Sequence, residues 1–397
     1  MTSTDAPDGP ATMIHLDGVG KTYPGSTEPA VEALDLDVSR GEVLVLVGPS
    51  GCGKSTTLRL INRMIEPSSG RIIFDGDDVT TVDPDALRRR IGYVIQQIGL
   101  FPHQTIAQNV ATVPRLLGWG KERIRQRVDE LLDLTGLDPS TFRDRYPKEL
   151  SGGQAQRVGV ARALGADPEV LLMDEPFGAI DPITRDRLQN EFLRLQGELR
   201  KTIVFVTHDI DEAIKMGDRI AILGERSVIR QLDTPERILA YPVDDFVSDF
   251  IGSGSTLKGL NFERVRDIEW NTDFPVAETT TEVAEARRRL AESPEKWMLV
   301  LDPQGRPRRW VSEAHLERAD ALATAGPAVV ATVLPNATLH DALEELLLSN
   351  AGQAVVVDER GRYQGIVDVD CLADVLKRMR AEAKKHYDQL ASAEGSP

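Results

Sequence analysis

The stretch VLVLVGPSGCGKST, Val43 to Thr56, decides the fold. Val43–Val47 is apolar at every position, as a strand buried on both faces of a parallel sheet must be. It runs into Gly48-Pro49-Ser50-Gly51-Cys52-Gly53-Lys54-Ser55-Thr56, and a helical face of Leu58, Ile61 and Ile65 follows. Strand, glycine-rich loop and helix are the context in which this spacing cradles phosphates. Glycines let successive N–H groups curl round an anion. Lys54 is placed to neutralise the β- and γ-phosphates of a nucleotide, and the Ser55 hydroxyl to ligate Mg²⁺. The motif predicts an α/β domain that binds a nucleoside triphosphate.

Working outward, Val170–Met173 (VLLM) and Ile203–Val206 (IVFV) read as further buried strands. Asp174 ends the first of these, where a second metal-holding acid is needed, and Glu175 follows it as a candidate general base. Residues 101–166 differ: helical periodicity with almost no strand signal predicts a helical subdomain inserted into the sheet domain. Within it, LSGGQ (Leu150, Ser151, Gly152, Gly153, Gln154) precedes an apolar-periodic stretch. That composition suits an anion site at a helix N-terminus, yet it carries no lysine.

A chain of 397 residues has room for two or three domains. An apolar share of 41% and a charged share of 28% place it among globular proteins. The net charge of −16 argues against nucleic acid as a partner, since phosphate backbones need clustered Lys and Arg. Cys52 and Cys371 do not make a disulfide framework, which fits a reducing compartment. No signal peptide is read at the N-terminus, and no apolar run is long enough to span a bilayer.

Beyond the nucleotide-binding region (13–248), Gly and Ser mark a linker at 249–256. There follows an internal repeat. Asp302-Pro303-Gln304-Gly305-Arg306 recurs as Asp358-Glu359-Arg360-Gly361-Arg362, each after an apolar strand (298–301 and 354–357). Upstream, Val283, Ala286 and Leu290 recur as the helical face Leu339, Ala342 and Leu346. Two helix–strand–turn–strand units of this kind would bury their apolar faces on each other. Their bounds are 257–318 and 325–380, with a tail at 381–397.

Taken together, these motifs resemble the ATP-hydrolysing subunit of ABC transporters over about residues 13 to 252. LSGGQ matches that family's signature. The resemblance carries over further residues: Gln96 as the glutamine that senses Mg²⁺ and faces the membrane partner, and His208 as the histidine that contacts the γ-phosphate. Asp181 matches the acid of the loop after Glu175, and Tyr23 the aromatic that stacks on adenine. Gly178, Ile180 and Ala155 depart from the commoner residues without removing a ligand. The resemblance implies a P-loop NTPase fold, a RecA-like core with an inserted helical subdomain, and hydrolysis of ATP with Mg²⁺. It also implies two sites, each shared between subunits: Lys54, Ser55, Gln96, Asp174, Glu175 and His208 from one, the signature from a second copy docked head to tail.

The stretch from Arg88 to Val110, with Glu175–Arg185, most resembles importers of glycine betaine, proline betaine, choline and carnitine. The repeat resembles a tandem CBS module, α+β in class. The second copy matches well and the first is degenerate. Where CBS pairs hold adenosine nucleotides with Thr or Ser and Asp, this chain has Asp368 and Cys371, and Ser312 and His315. The module is read either as a packing and dimerising unit or as a regulator answering to ionic strength or a cyclic dinucleotide. Lys377, Arg378, Arg380, Lys384 and Lys385 are read as a solvated helix face or a contact with anionic lipid. The implied partners are a second copy, membrane permease subunits and, indirectly, a substrate-binding protein. The implied place is the cytoplasmic side of the membrane, peripherally bound. An importer of another solute, or a soluble ABC ATPase, is the alternative; no residue of this chain recognises the solute.

Overall fold

A computed structural model describes residues 11–95, 99–178, 180–252 and 255–394. Gln96 lies outside the described residues. The chain divides into two units: one comprises the chain up to Ile238 with Val243–Phe250, the other Leu239–Pro242 with the chain from Ile251 onward.

In the first unit the chain runs through β1 (Thr12–Lys21), β2 (Val31–Ser39), β3 (Val43–Val47), α1 (Lys54–Ile61), β4 (Ser69–Phe74), β5 (Asp77–Asp78), α2 (Pro84–Arg90) and β6 (Ile91–Val94). Helices follow: α3 (Ile106–Val110), α4 (Thr112–Leu116), α5 (Lys121–Leu134), α6 (Pro139–Phe142) and α7 (Gly152–Ala163). The chain then returns to the sheet through β7 (Val170–Asp174), α8 (Pro182–Leu199), β8 (Thr202–Thr207), α9 (Ile210–Met216), β9 (Arg219–Leu223) and β10 (Ile229–Asp233), before α10 (Pro235–Ala240) and α11 (Asp245–Ile251).

The larger sheet has the order β10-β9-β3-β8-β7-β6, parallel from β9 to β6, with β10 antiparallel at its edge. Every residue of β3, β7 and β8 is buried, which is why these strands are apolar without alternation. The order sets the C-terminal ends of β3, β8 and β7 side by side, the edge at which open α/β sheets build their sites. A second, antiparallel sheet of order β2-β1-β4-β5 packs its apolar side into the same core. Between β6 and β7, helices α3–α7 occupy the stretch read as helical. In α5, one face, Val128, Leu131 and Leu132, is buried.

The linker stretch is not bare loop: α11 continues to Ile251, and α12 (Ser255–Lys258) begins after Gly252, whose φ is 81°. The second unit then continues with β11 (Val276–Glu278), α13 (Val283–Ala291), β12 (Trp297–Leu301), β13 (Pro307–Ser312), α14 (Glu313–Leu316), β14 (Thr332–Val333), α15 (Leu339–Leu348), β15 (Ala354–Val357), β16 (Tyr363–Val367) and α16 (Val369–Glu394). Its two sheets are copies of one plan. In each, the first strand is parallel and the third antiparallel to the middle one: β11-β12-β13 and β14-β15-β16. The turn is copied too. The Asp302 carboxylate accepts from the N–H groups of Gln304 and Arg306, and that of Asp358 from Arg360 and Arg362.

Strand alternation explains how the copies join. In β12, Met298 and Val300 face the helices of their own repeat, while Leu299 enters a shared core with Phe274, Trp310, Val355, Val357 and Ile366. In β15, Ala354 and Val356 face inward, and Val355 and Val357 belong to the shared core. Both faces are covered, so both strands lose the polar half of the usual period of two.

Candidate nucleotide site

The phosphate-loop motif begins where β3 ends. Gly48 is required by close approach, because a Cβ there would stand 2.4 Å from the Leu223 carbonyl oxygen. Gly53, which caps α1 with φ at 111°, is required by its backbone as well as by space. Lys54 is buried, and its ammonium donates to the carbonyls of Gly48 and Pro49, each at 2.8 Å. Its Nζ stands 3.8 Å from the Cys52 sulfur. Pro49, Ser50 and Gly51 are exposed at the loop's outer side. There they line a cavity of about 570 Å³ with Tyr23, Glu28 and Arg226. Tyr23 keeps 39% of its surface exposed on that wall.

At the other side of the loop, Ser55 Oγ donates to Asp174 Oδ1 at 2.8 Å. Asp174 is the last residue of β7 and is buried. Burial pushes its carboxyl above the ordinary range, and the Ser55 hydrogen bond opposes that. Hydroxyl and carboxylate are hard oxygen donors of the kind Mg²⁺ takes. Among the described residues, no three His, Cys, Asp or Glu side chains gather to cage a metal. A pair of protein oxygens completed by phosphate is the arrangement Mg²⁺ adopts with nucleotides.

Glu175 follows in the left-handed region, with φ at 46°, and its N–H donates to the Val206 carbonyl. That bond ties the turn after β7 to β8 and holds the carboxylate at the sheet's end. Non-glycine residues with such a φ are uncommon and gather at functional sites. His208 Nδ1 lies 3.2 Å from Glu175 Oε1, with the imidazole more than half exposed. Asp209, next in sequence, caps α9 through the N–H groups of Asp211 and Glu212 and stands 3.7 Å from Arg185. The turn carrying His208 is therefore fixed from two sides.

The signature lies elsewhere in the unit. Ser151 caps α7: its Oγ accepts from the Gln154 N–H, and the Gln154 side chain accepts from the Ser151 N–H. Ser151 and Gly152 are exposed, Leu150 and Gly153 half-buried. Among the described residues, no hydrogen bond of Leu150–Gln154 reaches the phosphate loop of the same chain. Asp181 caps α8 by accepting from the Thr184 N–H, which lowers its pKa. Lys54, Ser55, Asp174, Glu175 and His208 are thus brought to one edge of one sheet, with Tyr23 on the neighbouring wall; the signature and Asp181 begin helices.

Sequence reasoning missed the turn Gly224–Val228. Ser227, fully buried, donates its N–H to the Cys52 carbonyl at 2.6 Å and its Oγ to the same oxygen at 3.2 Å. No local pattern announces a contact between positions so far apart in sequence. In the second unit, the four positions compared with CBS nucleotide sites make local hydrogen bonds. Asp368 Oδ1 accepts from the Cys371 N–H, and Ser312 Oγ and His315 Nδ1 share a hydrogen bond of 2.7 Å. The cavity beside Asp368, of about 790 Å³, is lined by the carboxylates of Asp267, Glu269, Asp370 and Asp374 and by the guanidinium groups of Arg266 and Arg378.

The model of the ABC transporter family matches residues 31–178, and that of the CBS domain residues 328–383. The osmoprotectant import ATP-binding protein OsmV of Salmonella typhimurium is 44% identical over 93% of this chain and 97% of its own. The glycine betaine/carnitine/choline transport ATP-binding protein OpuCA of Bacillus subtilis is 46% identical over 92% of this chain and 96% of its own. Among solved structures, the dimeric bacterial ABC transporter cassette MJ0796 superposes with a TM-score of 0.51 at 36% identity, covering 56% of this chain and 98% of that one. A post-hydrolysis dimer of the same cassette, bound to ADP and Pi, matches at 35% identity. The likeness to the curated relatives runs through both units. This chain is an ABC-type ATPase and belongs to the family of ATP-binding subunits of osmoprotectant and quaternary-amine importers.

Proposed function

We propose that the protein hydrolyses ATP to drive uptake of a quaternary ammonium compatible solute through separate permease subunits. The observation that carries this reading is identity above 40% along nearly the whole chain, CBS module included, to subunits named for such solutes. In the site, Lys54 neutralises the β- and γ-phosphates against the loop's N–H groups, and Tyr23 stacks on the base. Ser55 and Asp174, with Gln96, would hold Mg²⁺. When bound, that ion neutralises phosphate charge. Glu175 takes the proton of the attacking water, and His208 orients toward the γ-phosphate while its ring steadies the Glu175 carboxylate. Ser151 and Gly153 of a second copy, backed by the positive end of α7, close the other side of the γ-phosphate.

No helix among the described residues is long and apolar enough to cross a membrane. A groove of about 580 Å³ between α2 and β6 on one side and α4 and α7 on the other is mostly apolar, with Met64, Tyr93, Phe101 and Val113 on its walls. Met64 and Phe101 are 54% and 39% exposed. We assign this groove to the permease, and infer a peripheral position on the cytoplasmic side of the membrane from the likeness to ATP-binding subunits of importers. Phe101→Asp is expected to abolish co-purification of the permease with the ATPase while ATP binding persists. Undiminished co-purification would remove the groove from the interface.

The substrate class is tested by reconstituting the ATPase with its permease in vesicles. ATP-dependent uptake of glycine betaine, choline, carnitine or proline betaine is expected. Uptake of an unrelated solute with none of these would overturn the substrate class and leave the ATPase intact.

A further inference from the structure

The turn between β9 and β10 meets the back of the phosphate loop at an unusual backbone. Arg226 and Ser227 are consecutive non-glycine residues in the left-handed region, with φ at 58° and 62°. Glycine or asparagine is the ordinary occupant of such positions. Two side chains held there against that preference call for a local reason, and at Ser227 the reason is visible. The residue is fully buried, and its N–H and hydroxyl both donate to the Cys52 carbonyl. Its Oγ also lies 3.3 Å from Thr57 Oγ1, which in turn donates to the Gly53 carbonyl. Contact is close enough that a Cβ on Gly53 would stand 2.2 Å from Ser227 Oγ. The turn itself is closed by the Gly224 N–H donating to the Val228 carbonyl.

We propose that Ser227 is a positioning residue for nucleotide binding: it fixes the Cys52–Gly53 peptide so that the loop's N–H groups face the β-phosphate. This rests on the loop being the nucleotide site. A carbonyl drawn backward by two donors turns the following N–H the other way, because the peptide unit is planar. The same donors stop the Cys52 carbonyl from swinging toward the phosphate, where its partial negative charge would repel. Arg226, carried on the same turn, lies on the wall of the cavity shared by Tyr23 and the loop and pairs with Glu32 at 3.3 Å.

The β-phosphate is held alike in ground state and transition state, so loss of positioning raises KM for ATP more than it lowers kcat. Ser227→Gly suits the backbone's positive φ and removes the side chain, hydroxyl included, while the backbone N–H donor to Cys52 remains. It is expected to weaken ADP binding and raise KM roughly fivefold, the worth of a typical net hydrogen bond, with kcat at saturation within about twofold. Ser227→Ala removes only the hydroxyl and keeps the left-handed strain that Ser227 already bears, and is expected to raise KM by a similar factor. Fluorescent ADP titration of the full-length protein, with melting curves for each variant, measures this. Unchanged ADP affinity in Ser227→Gly would overturn the proposal. So would a fall in melting temperature and kcat with KM untouched, because that is what a merely structural residue gives. Lys54→Ala in the same titration separates the two readings: if it binds ADP like the wild type, the site itself is wrong, whatever Ser227 does.

Discussion

Glu175→Gln is expected to lower ATP hydrolysis by roughly two to four orders of magnitude, the span a positioned general base supplies. Nucleotide affinity should stay near that of the wild type. Glutamine keeps the shape of the side chain, and the backbone N–H that ties the turn to Val206 is untouched. What is lost is the acceptor that takes the water's proton, on a carboxylate that His208 flanks at 3.2 Å. With hydrolysis blocked and ATP retained, the two halves of each shared site stay joined. Light scattering with excess ATP and Mg²⁺ should then give twice the protomer mass, and a phosphate-release assay should give the rate. A monomer under these conditions would count against the shared site. A loss of less than tenfold would deny Glu175 the role of base.

The parallel sheet and the order of its motifs are legible because each is a local pattern. Val43–Val47 and Val170–Met173 have no polar partner position, and a strand without alternation has both faces covered. The antiparallel sheet was equally legible in β2, where Leu34, Leu36 and Val38 are buried and Asp35 and Asp37 exposed. The eye for apolar runs passes over that alternation. The start of the linker stretch holds more order than its composition alone requires. Gly and Ser between 249 and 256 suggest open chain, but Val247 and Ile251 are fully or nearly buried, and burial carries α11 through the stretch's start. Ser227 was not legible at all. Its partner Cys52 is 175 positions away, and nothing at Arg226 or Ser227 favours the left-handed backbone they adopt. Only the folded sheet, which sets β9 beside β3, brings them together.

The capping geometry of α7 permits the sharpest test of how two copies share ATP. Ser151→Asp replaces one good N-cap with another and adds a negative charge that the helix N-terminus favours, so α7 is expected to keep its stability. The same carboxylate would face the γ-phosphate of a partner's nucleotide and repel it. Lys54→Ala removes the ammonium that the Gly48 and Pro49 carbonyls hold over the loop. Removal of one such charge-stabilising donor costs on the order of 10²- to 10³-fold in rate. Each variant alone is therefore expected to be nearly inactive. A mixture is different if sites are shared head to tail across a two-fold axis. In a mixed dimer one site collects both defects, while the other pairs an intact Lys54 with an intact Ser151. Random pairing makes half the dimers mixed, each with one working site of two, so equimolar mixing should restore roughly a quarter of wild-type ATPase. Recovery above either parent is the signature of a site built from two chains, because no arrangement within one chain can repair itself by mixing. If the mixture stays at the parents' level, Lys54 and Ser151 act within the same chain or in separate steps. If Ser151→Asp alone hydrolyses ATP like the wild type, the N-terminus of α7 does not meet the γ-phosphate.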